Sequence, residues 1–152
     1  MNDKIRDREI SKFYLCAVQG RPKPPSGELR DYLFKDAKKN QVFVKAKPEP
    51  GAKTAVTRYR LLAASGPLSL VECHQIRAQM AHAGWPLLGD GKYGRESFNR
   101  NFEEKGQALY SYKLRFDFPS DAGPLNYLRG RVFTVEHVDF AEKYFGINDL
   151  NF

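Results

Sequence analysis

The sequence has little cysteine and no long apolar run. Cys16 and Cys73 are its two cysteines, far apart in 152 residues and without the spacing of a metal-binding pair. We therefore expect two reduced thiols in a cytosol-like compartment, and a cytoplasmic location. No segment approaches the roughly 18 apolar residues that a membrane span requires. The first ten residues, MNDKIRDREI, are charged throughout, and they lack the apolar region of a secretory signal.

Motifs for metals and nucleophiles are equally scarce. His74, His82 and Asp90 are a weak zinc set, because the two histidines lie eight residues apart rather than one helical turn. The tail GWPLLGDGKYG is rich in glycine but lacks the Gly-Lys-Ser/Thr of a phosphate-binding loop. No nucleophile elbow supports a serine triad, although the sequence does not exclude one. The residues therefore predict no metal site.

Acidic residues are the minority among the charged ones. The chain has 25 Lys and Arg against 18 Asp and Glu, a net charge of +7. This balance favours an anionic partner, with nucleic acid first, and the alternative is a basic face that contacts only water. The length predicts one domain that is large enough to bury a core without disulfides or metals.

Alternating apolar residues predict a strand-rich domain. Strands are predicted at 11–19, 28–34, 41–46, 54–64, 67–73, 107–118 and 131–136, and helices at 74–83, 96–105 and 140–145. The first strand is apolar on both faces, which predicts a central position in the sheet. The fold class is therefore α+β, with a mixed, largely antiparallel sheet and few helices.

The helix predicted at 74–83 carries an arginine in an unfavourable place. Ile76, Met80 and Ala83 form its apolar stripe, with Gln79 on a polar flank. Arg77 lies near the N-terminal end, where the helix dipole is already positive. A cation there is unfavourable unless an anion is close, so Arg77 and the free amides predict a carboxylate or phosphate site. The alternative is an arginine that extends into solvent.

Four segments in order resemble the RluA-type RNA pseudouridine synthases. HQIRAQMAHAGWPLLGDGKYG, residues 74–94, is similar to a family motif that reads approximately H-Q-I-R-x-x-x-A-x-x-G-x-P-I-x-G-D-x-x-Y-G. KFYLCAVQG (12–20), GAKTAVTRYRLL (51–62) and QALYSYKLRFDFP (107–119) are similar to three family strands, with Tyr110 where histidine is common. The resemblance extends along nearly the whole chain.

The resemblance implies an enzyme that isomerises uridine to pseudouridine in ribosomal or transfer RNA, with no cofactor or metal. The target base is flipped into a pocket, and an aspartate is the nucleophile. Tyr14 matches the active-site tyrosine, Arg77 the basic partner of that aspartate, and Leu109 an apolar residue near the base. Without the resemblance, Tyr14 and Leu109 are better interpreted as core residues.

The predicted RNA-binding residues are mostly cations on strands. Basic strand positions are suited to holding the RNA backbone. The predicted set is Arg58, Arg60, Lys113, Arg115, His74 and Gln75. We expect a monomer that binds RNA.

Two departures from the family pattern limit the prediction. The nucleophile motif H-R-L-D-x-x-T-S-G is absent, and neither Asp3 nor Asp7 has its surroundings. Residues 1–152 are therefore predicted to be a pseudouridine synthase-like catalytic domain that is incomplete on its N-terminal side. The family's T-G-R-T before HQIR is also missing, so SLVEC runs directly into His74 where a connection normally takes roughly 2–6 residues.

Three functions remain open from the sequence. The first is an RNA pseudouridine synthase whose nucleophile segment is not in this sequence. The second is an inactive RNA-binding remnant, which would keep the basic charge and a stacking tyrosine. The third is a basic domain that binds an acidic protein.

Overall fold

One antiparallel sheet organises the chain. The computed structural model describes residues 10–74, 77–102, 104, 106–118 and 123–152, and for Arg77 the description covers the backbone. The strands are β1 (Ile10–Gln19), β2 (Ser26–Asp36), β3 (Gln41–Lys45), β4 (Lys53–Ser65), β5 (Leu68–Cys73), β6 (Leu109–Phe116) and β7 (Val132–Thr134). The helices within those ranges are α1 (Arg77–His82), α2 (Glu96–Asn99), α3 (Asp139–Phe145) and a 3₁₀ turn at Gly123–Leu128.

The strands lie in the order β3-β2-β4-β5-β1-β6-β7, and each neighbouring pair is antiparallel. The predicted fold class is confirmed, since the sheet is large and the helices are few and short. All seven predicted strands are present. The sheet of the described residues contains antiparallel pairs where a mixed sheet was predicted, because β5 and β6, which run parallel to each other, are separated by β1.

Two predicted helices are shorter in the structure than in the sequence-based prediction. The helix predicted at 74–83 begins at Arg77, because the His74 amide donates to the Arg58 carbonyl (3.1 Å) and so continues the pairing of β5 with β4. The helix predicted at 96–105 ends at Asn99, after which the Asn101 amide donates back only three residues, to Phe98 (3.1 Å), in a tighter turn. Strand β5 ends at Cys73 and α1 begins at Arg77, and residues 75–76 between them lie outside the described residues, so the missing connection stays a prediction.

Strand β1 separates two apolar cores, as its two-sided pattern predicts. On one face Leu15 and Ala17 are fully buried in a core that α3 completes with Phe140 and Ala141. On the other face Cys16 and Val18 are fully buried in a core that includes Met80 of α1. Because successive side chains of a strand point to opposite faces, α1 and α3 cover opposite sides of the sheet. We call these the α1 face and the α3 face.

The glycine-rich tail after α1 forms a close-packed loop. Gly89 has φ +77°, and a Cβ there would lie 2.0 Å from the Gly106 carbonyl oxygen. The side chain of Asp90 accepts hydrogen bonds from the amides of Lys92 (2.9 Å) and Tyr93 (3.0 Å). The Asn99 side chain accepts from the Gly89 amide (2.9 Å). The motif GDGKYG therefore fixes the path of the chain beside the sheet.

The central strand β5 is shorter than both of its neighbours. It pairs with β1 from Tyr14 to Gln19 and with β4 from Tyr59 to Ser65. Residues 10–13 of β1 and 53–58 of β4 therefore extend beyond the last residue of β5. This step in the sheet creates the largest cleft described below.

Candidate functional site

A cleft of 750 Å³ opens beyond the end of β5. Four residues of the predicted site line it, namely Tyr14, Arg58, His74 and Arg115. The remaining lining residues described are Ile10, Ser11, Lys12, Phe13, Glu28, Arg30, Thr54 and Val56. The structure therefore brings together part of the predicted set, from strands that are distant in sequence.

The three predicted catalytic residues belong to the α1 face. Tyr14 lies opposite Cys73 in the pairing of β1 with β5, and it is half-buried against the core that contains Met80. Leu109, the first residue of β6, packs against the same core. Arg77 is the first residue of α1, and its side chain lies outside the description. Their roles in catalysis stay predictions.

Most of the predicted RNA-binding residues lie on the α3 face, around Phe13. The His74 ring centroid is 4.5 Å from that of Phe13, and the Lys113 Nζ is 4.6 Å from the same ring. The Arg115 guanidinium carbon is 5.2 Å from it. Burial lowers the pKa of His74, and the cations around it act in the same direction against the opposing effect of Glu72. Burial and these cations therefore favour the neutral form of His74. Gln75 lies outside the described residues.

Each of the four predicted cations has a carboxylate partner within the chain. The ion pairs are Arg58–Glu28 (3.5 Å), Arg60–Glu72 (3.1 Å), Lys113–Glu72 (3.0 Å) and Arg115–Asp117 (2.7 Å). The side chain of Arg58 is 74% exposed and that of Lys113 is 15% exposed. An incoming phosphate therefore reaches Arg58 much more readily than Lys113, whose predicted contact with RNA stays a prediction.

The sequence-based prediction missed Glu72, a buried carboxylate at the centre of this network. Its oxygens accept from Arg60, Lys113 and the hydroxyl of Tyr112. Burial alone raises the pKa of Glu72, but the Tyr112 hydrogen bond and the two cations outweigh burial and hold the pKa below its usual range. Burial and the same carboxylate raise the pKa of Tyr112. The available signal was one acidic residue inside the apolar run SLVEC.

The prediction also placed Gln79 wrongly, on a polar flank of the helix. Gln79 is fully buried, and its Oε1 accepts from the Thr57 hydroxyl at 2.6 Å. Its Nε2 lies within hydrogen-bond distance of the Asp31 carboxylate (2.9 Å) and of the carbonyls of Leu29 and Ala55 (3.2 Å each). These hydrogen bonds hold α1 against β2 and β4. Gln79 lies two residues after Arg77, the first residue of the same helix.

The two cysteines meet in the core of the α1 face. Their Sγ atoms lie 3.5 Å apart, and both thiols are free and buried. Burial and the neighbouring thiol raise the pKa of Cys16, with the hydrogen bond to Cys73 as the largest cause. Their separation in sequence did not predict this proximity, because adjacent strands of the sheet bring them together.

No three His, Cys, Asp or Glu side chains in the described ranges are grouped so that they could hold a metal ion. None of the helices described there has the length and apolar character for crossing a bilayer.

Comparisons with known proteins agree on one family. The sequence model of the RNA pseudouridylate synthase family matches residues 1–82. A Chlorobaculum parvum protein named as an uncharacterized RNA pseudouridine synthase is 32% identical over 146 residues, which cover 82% of this chain and 44% of that protein. The ribosomal large subunit pseudouridine synthase D of Borreliella burgdorferi is 30% identical over 121 residues, which cover 75% of this chain and 36% of that protein.

Solved structures show the same fold. Human RNA pseudouridylate synthase domain containing 1 has a TM-score of 0.64 at 17% identity, with 99% of this chain and 71% of that chain covered. Human RNA pseudouridylate synthase domain containing 4 has a TM-score of 0.58 at 20% identity, with 74% and 56% covered.

The antiparallel sheet with its basic cleft thus defines a domain of the pseudouridine synthase fold. The chain belongs to the RNA pseudouridylate synthase family, within the RluA type that the sequence motifs indicate. It spans less than half the length of these curated relatives.

Proposed function

We propose that the chain is part of an RNA pseudouridine synthase, which isomerises uridine to pseudouridine. The observation that carries the proposal is the 750 Å³ cleft, where Tyr14, His74 and three arginines from distant strands meet. Exposed arginines around a cleft attract phosphate, and an aromatic ring offers a stacking surface for a base. The RNA is proposed to be ribosomal or transfer RNA, and the name of the Borreliella relative supports ribosomal RNA.

The residues of this chain divide the proposed work between two faces. Arg58 and Arg115 hold the RNA backbone, because both side chains are substantially exposed and their carboxylate partners are exchangeable for phosphate. Tyr14 stacks on the flipped base, and Leu109 packs near it from the same face. Arg77 pairs with the nucleophilic aspartate, whose motif is not in these 152 residues.

An inactive RNA-binding protein is the second candidate. The basic cleft and Tyr14 support it, since cations and a stacking ring bind RNA without a nucleophile. The discriminating experiment is to incubate the chain with uridine-containing RNA and to quantify pseudouridine by mass spectrometry. Pseudouridine formed by the 152-residue chain would exclude the inactive protein, whereas salt-sensitive binding without product would support it.

The proposal includes a compartment and an assembly state. We place the protein in the cytoplasm as a monomer. The two buried free thiols, 3.5 Å apart, support a reducing compartment.

Replacing Arg77 by alanine is expected to weaken RNA binding, because the first residue of α1 carries the cation of the proposed anion site. Filter-binding titrations at a series of salt concentrations measure the RNA affinity. The loss of one phosphate contact makes the negative slope of log affinity against log salt shallower by about 1. Arg100→Ala is the control, since this exposed arginine is paired with Glu96 away from the cleft. An Arg77→Ala variant that binds RNA like the control would show that the assigned role is wrong.

Replacing Tyr14 by phenylalanine is expected to leave stability nearly unchanged and to reduce pseudouridine formation in a version with the nucleophile segment. The ring keeps its packing against the α1-face core, while the hydroxyl available for proton transfer is lost. Urea unfolding and product quantification measure the two effects. A large loss of stability would instead identify Tyr14 as a buried, hydrogen-bonded structural residue.

A further inference from the structure

A second, smaller cavity lies beside the cleft and shares a wall with it. Its volume is 290 Å³, and its described lining residues are Phe13, Lys113, Arg115, Val132, Thr134, Leu150, Asn151 and Phe152. Phe13 and Arg115 also line the cleft. We call this cavity the β7 pocket, because Val132 and Thr134 are the first and last residues of β7.

The strand register places the walls of the β7 pocket on the α3 face. Lys113 lies opposite Phe13 in β1 and opposite Thr134 in β7, and Arg115 lies opposite Val132. Residues that lie opposite each other in antiparallel strands project their side chains from the same side of the sheet. Phe13 packs in the core of the α3 face. The β7 pocket therefore rests on three neighbouring strands of one face.

The β7 pocket combines apolar surface with uncharged polar groups. Phe152 is 39% exposed and Val132 is 51% exposed, so both offer apolar surface that a ligand can cover. The Phe152 ring is positioned by an edge contact with the Tyr112 ring, with the two centroids 6.4 Å apart. Thr134 supplies a hydroxyl and Asn151 a side-chain amide to the same lining. A nucleobase matches this combination, since its faces stack on aromatic side chains while its edges form hydrogen bonds.

The size of the β7 pocket suits one nucleotide. Small-molecule sites have volumes of about 300 to 1,000 Å³, and 290 Å³ is at the lower end of this range. A single base with its ribose is a ligand of this small size, whereas a peptide segment or a folded RNA element is larger. The pocket therefore fits one unit of an RNA strand.

Arg115 connects the two cavities. Its side chain is 49% exposed and pairs with Asp117, which is 47% exposed, so solvent screens the pair and a phosphate can replace the carboxylate. Lys113 is 15% exposed and pairs with the buried Glu72, which leaves Arg115 as the more accessible cation. Because Arg115 lines both cavities, a phosphate bound to it lies between them. One phosphate joins two successive nucleotides of RNA, so a nucleotide in the cleft has its neighbour at the β7 pocket.

We propose that the β7 pocket binds the nucleotide next to the target uridine, with its base against Phe152 and Val132 and with the connecting phosphate on Arg115. This inference rests on the proposed function, because the target nucleotide occupies the cleft. The pocket extends recognition from a single uridine to a dinucleotide of single-stranded RNA. The phosphate contact positions the RNA, whereas contacts of Thr134 and Asn151 with the base edge select the neighbouring nucleotide.

The experiment titrates the nitrogen-15-labelled 152-residue chain with the dinucleotide UpU and follows the backbone amides by NMR. The amides of Thr134 and Asn151 report on the β7 pocket, and those of Arg58 and His74 report on the cleft. We expect both pairs of amides to shift with the same dissociation constant, because one ligand occupies both cavities. Shifts at the cleft amides alone would refute the pocket as a nucleotide site.

Phe152→Ala removes the stacking surface, and Tyr127→Ala is its matched control. Tyr127 is 69% exposed, and it is not among the described residues that line either cavity. Because a base gains affinity by stacking on an aromatic ring, Phe152→Ala is expected to bind UpU at least about fivefold more weakly than the wild type, with Tyr127→Ala unchanged. At saturating UpU, Phe152→Ala is expected to keep the shifts of the cleft amides and to lose those of the pocket amides. General unfolding would not give this pattern.

Equal affinity of the two variants for UpU would overturn the proposal. If Phe152→Ala fails to fold by circular dichroism, the shifts in the wild-type chain decide the question without it. The same titration separates this proposal from the proposed function. Shifts at the cleft amides alone refute the pocket and leave the proposed function standing. Shifts at neither pair refute RNA binding by the chain, and shifts at the pocket amides alone refute the cleft as the site of the target nucleotide.

Discussion

Replacing Glu72 by glutamine is expected to lower the free energy of unfolding by about 3 kcal/mol, because it breaks a buried ion pair from one side. Glutamine keeps the shape of the side chain but leaves Lys113, 15% exposed, without its counter-charge at 3.0 Å. It also replaces a carboxylate oxygen that accepts from the Tyr112 hydroxyl. Urea unfolding of the wild-type and variant chains, with equal m-values, measures the difference.

An exposed ion pair provides the control. Glu96 and Arg100 are in contact at 2.8 Å, with side chains 81% and 73% exposed. Glu96→Gln is therefore expected to change stability by less than about 0.5 kcal/mol, since solvent screens such pairs. Similar losses in the two variants would show that the network around Glu72 contributes nothing beyond a surface pair.

The contribution of Glu72 has a defined pH dependence. Because its pKa is lower in the folded chain than in the unfolded chain, the unfolded state binds more protons and stability rises with pH. The contribution is complete above the unfolded pKa of about 4.3, and it is lost as the pH falls through the folded value. The difference between wild type and Glu72→Gln is therefore expected to be constant from about pH 6 upward and to shrink in acid. A difference that grows in acid would contradict this assignment.

The sheet was predictable because its signal is local. Strand β1 reads as apolar on both faces, and β4 alternates, so hydrophobic periodicity alone locates them. The fold class followed from the same strand pattern, and the family motifs agreed with it, since each motif lies within one strand or helix and its following loop. The site residues that line the cleft, such as Tyr14 and His74, were found through those motifs.

The missed residues depend on partners that are distant in sequence. Glu72 binds Lys113, which lies on a different strand, and the sequence around either residue carries no sign of the other. Gln79 is buried by hydrogen bonds rather than by apolar contacts, so a search for apolar stripes places it on the outside. The cleft itself results from the unequal lengths of β1, β4 and β5, which become comparable only once their register is known.

Replacing Gln79 by alanine is expected to destabilise the chain by about 3 kcal/mol and to loosen α1 specifically. The truncation leaves a cavity and removes the partner of the buried Thr57 hydroxyl and of the Leu29 and Ala55 carbonyls. Because α1 has six residues, its position depends on such contacts more than on its own helix propensity. Loss of Gln79 therefore displaces the helix that begins with Arg77.

Two measurements separate a local effect from a global one. Urea unfolding gives the total loss in the free energy of unfolding. The control is Gln107→Ala, which replaces an exposed glutamine and is expected to change stability by less than about 0.5 kcal/mol. Hydrogen exchange in Gln79→Ala is expected to accelerate most at the amides of α1 and least in β1, whose pairing is unchanged. The RNA affinity of Gln79→Ala, measured without denaturant, is also expected to fall, as it does in Arg77→Ala. Uniform acceleration across the sheet, with RNA affinity retained, would show that Gln79 stabilises the whole core rather than the position of α1.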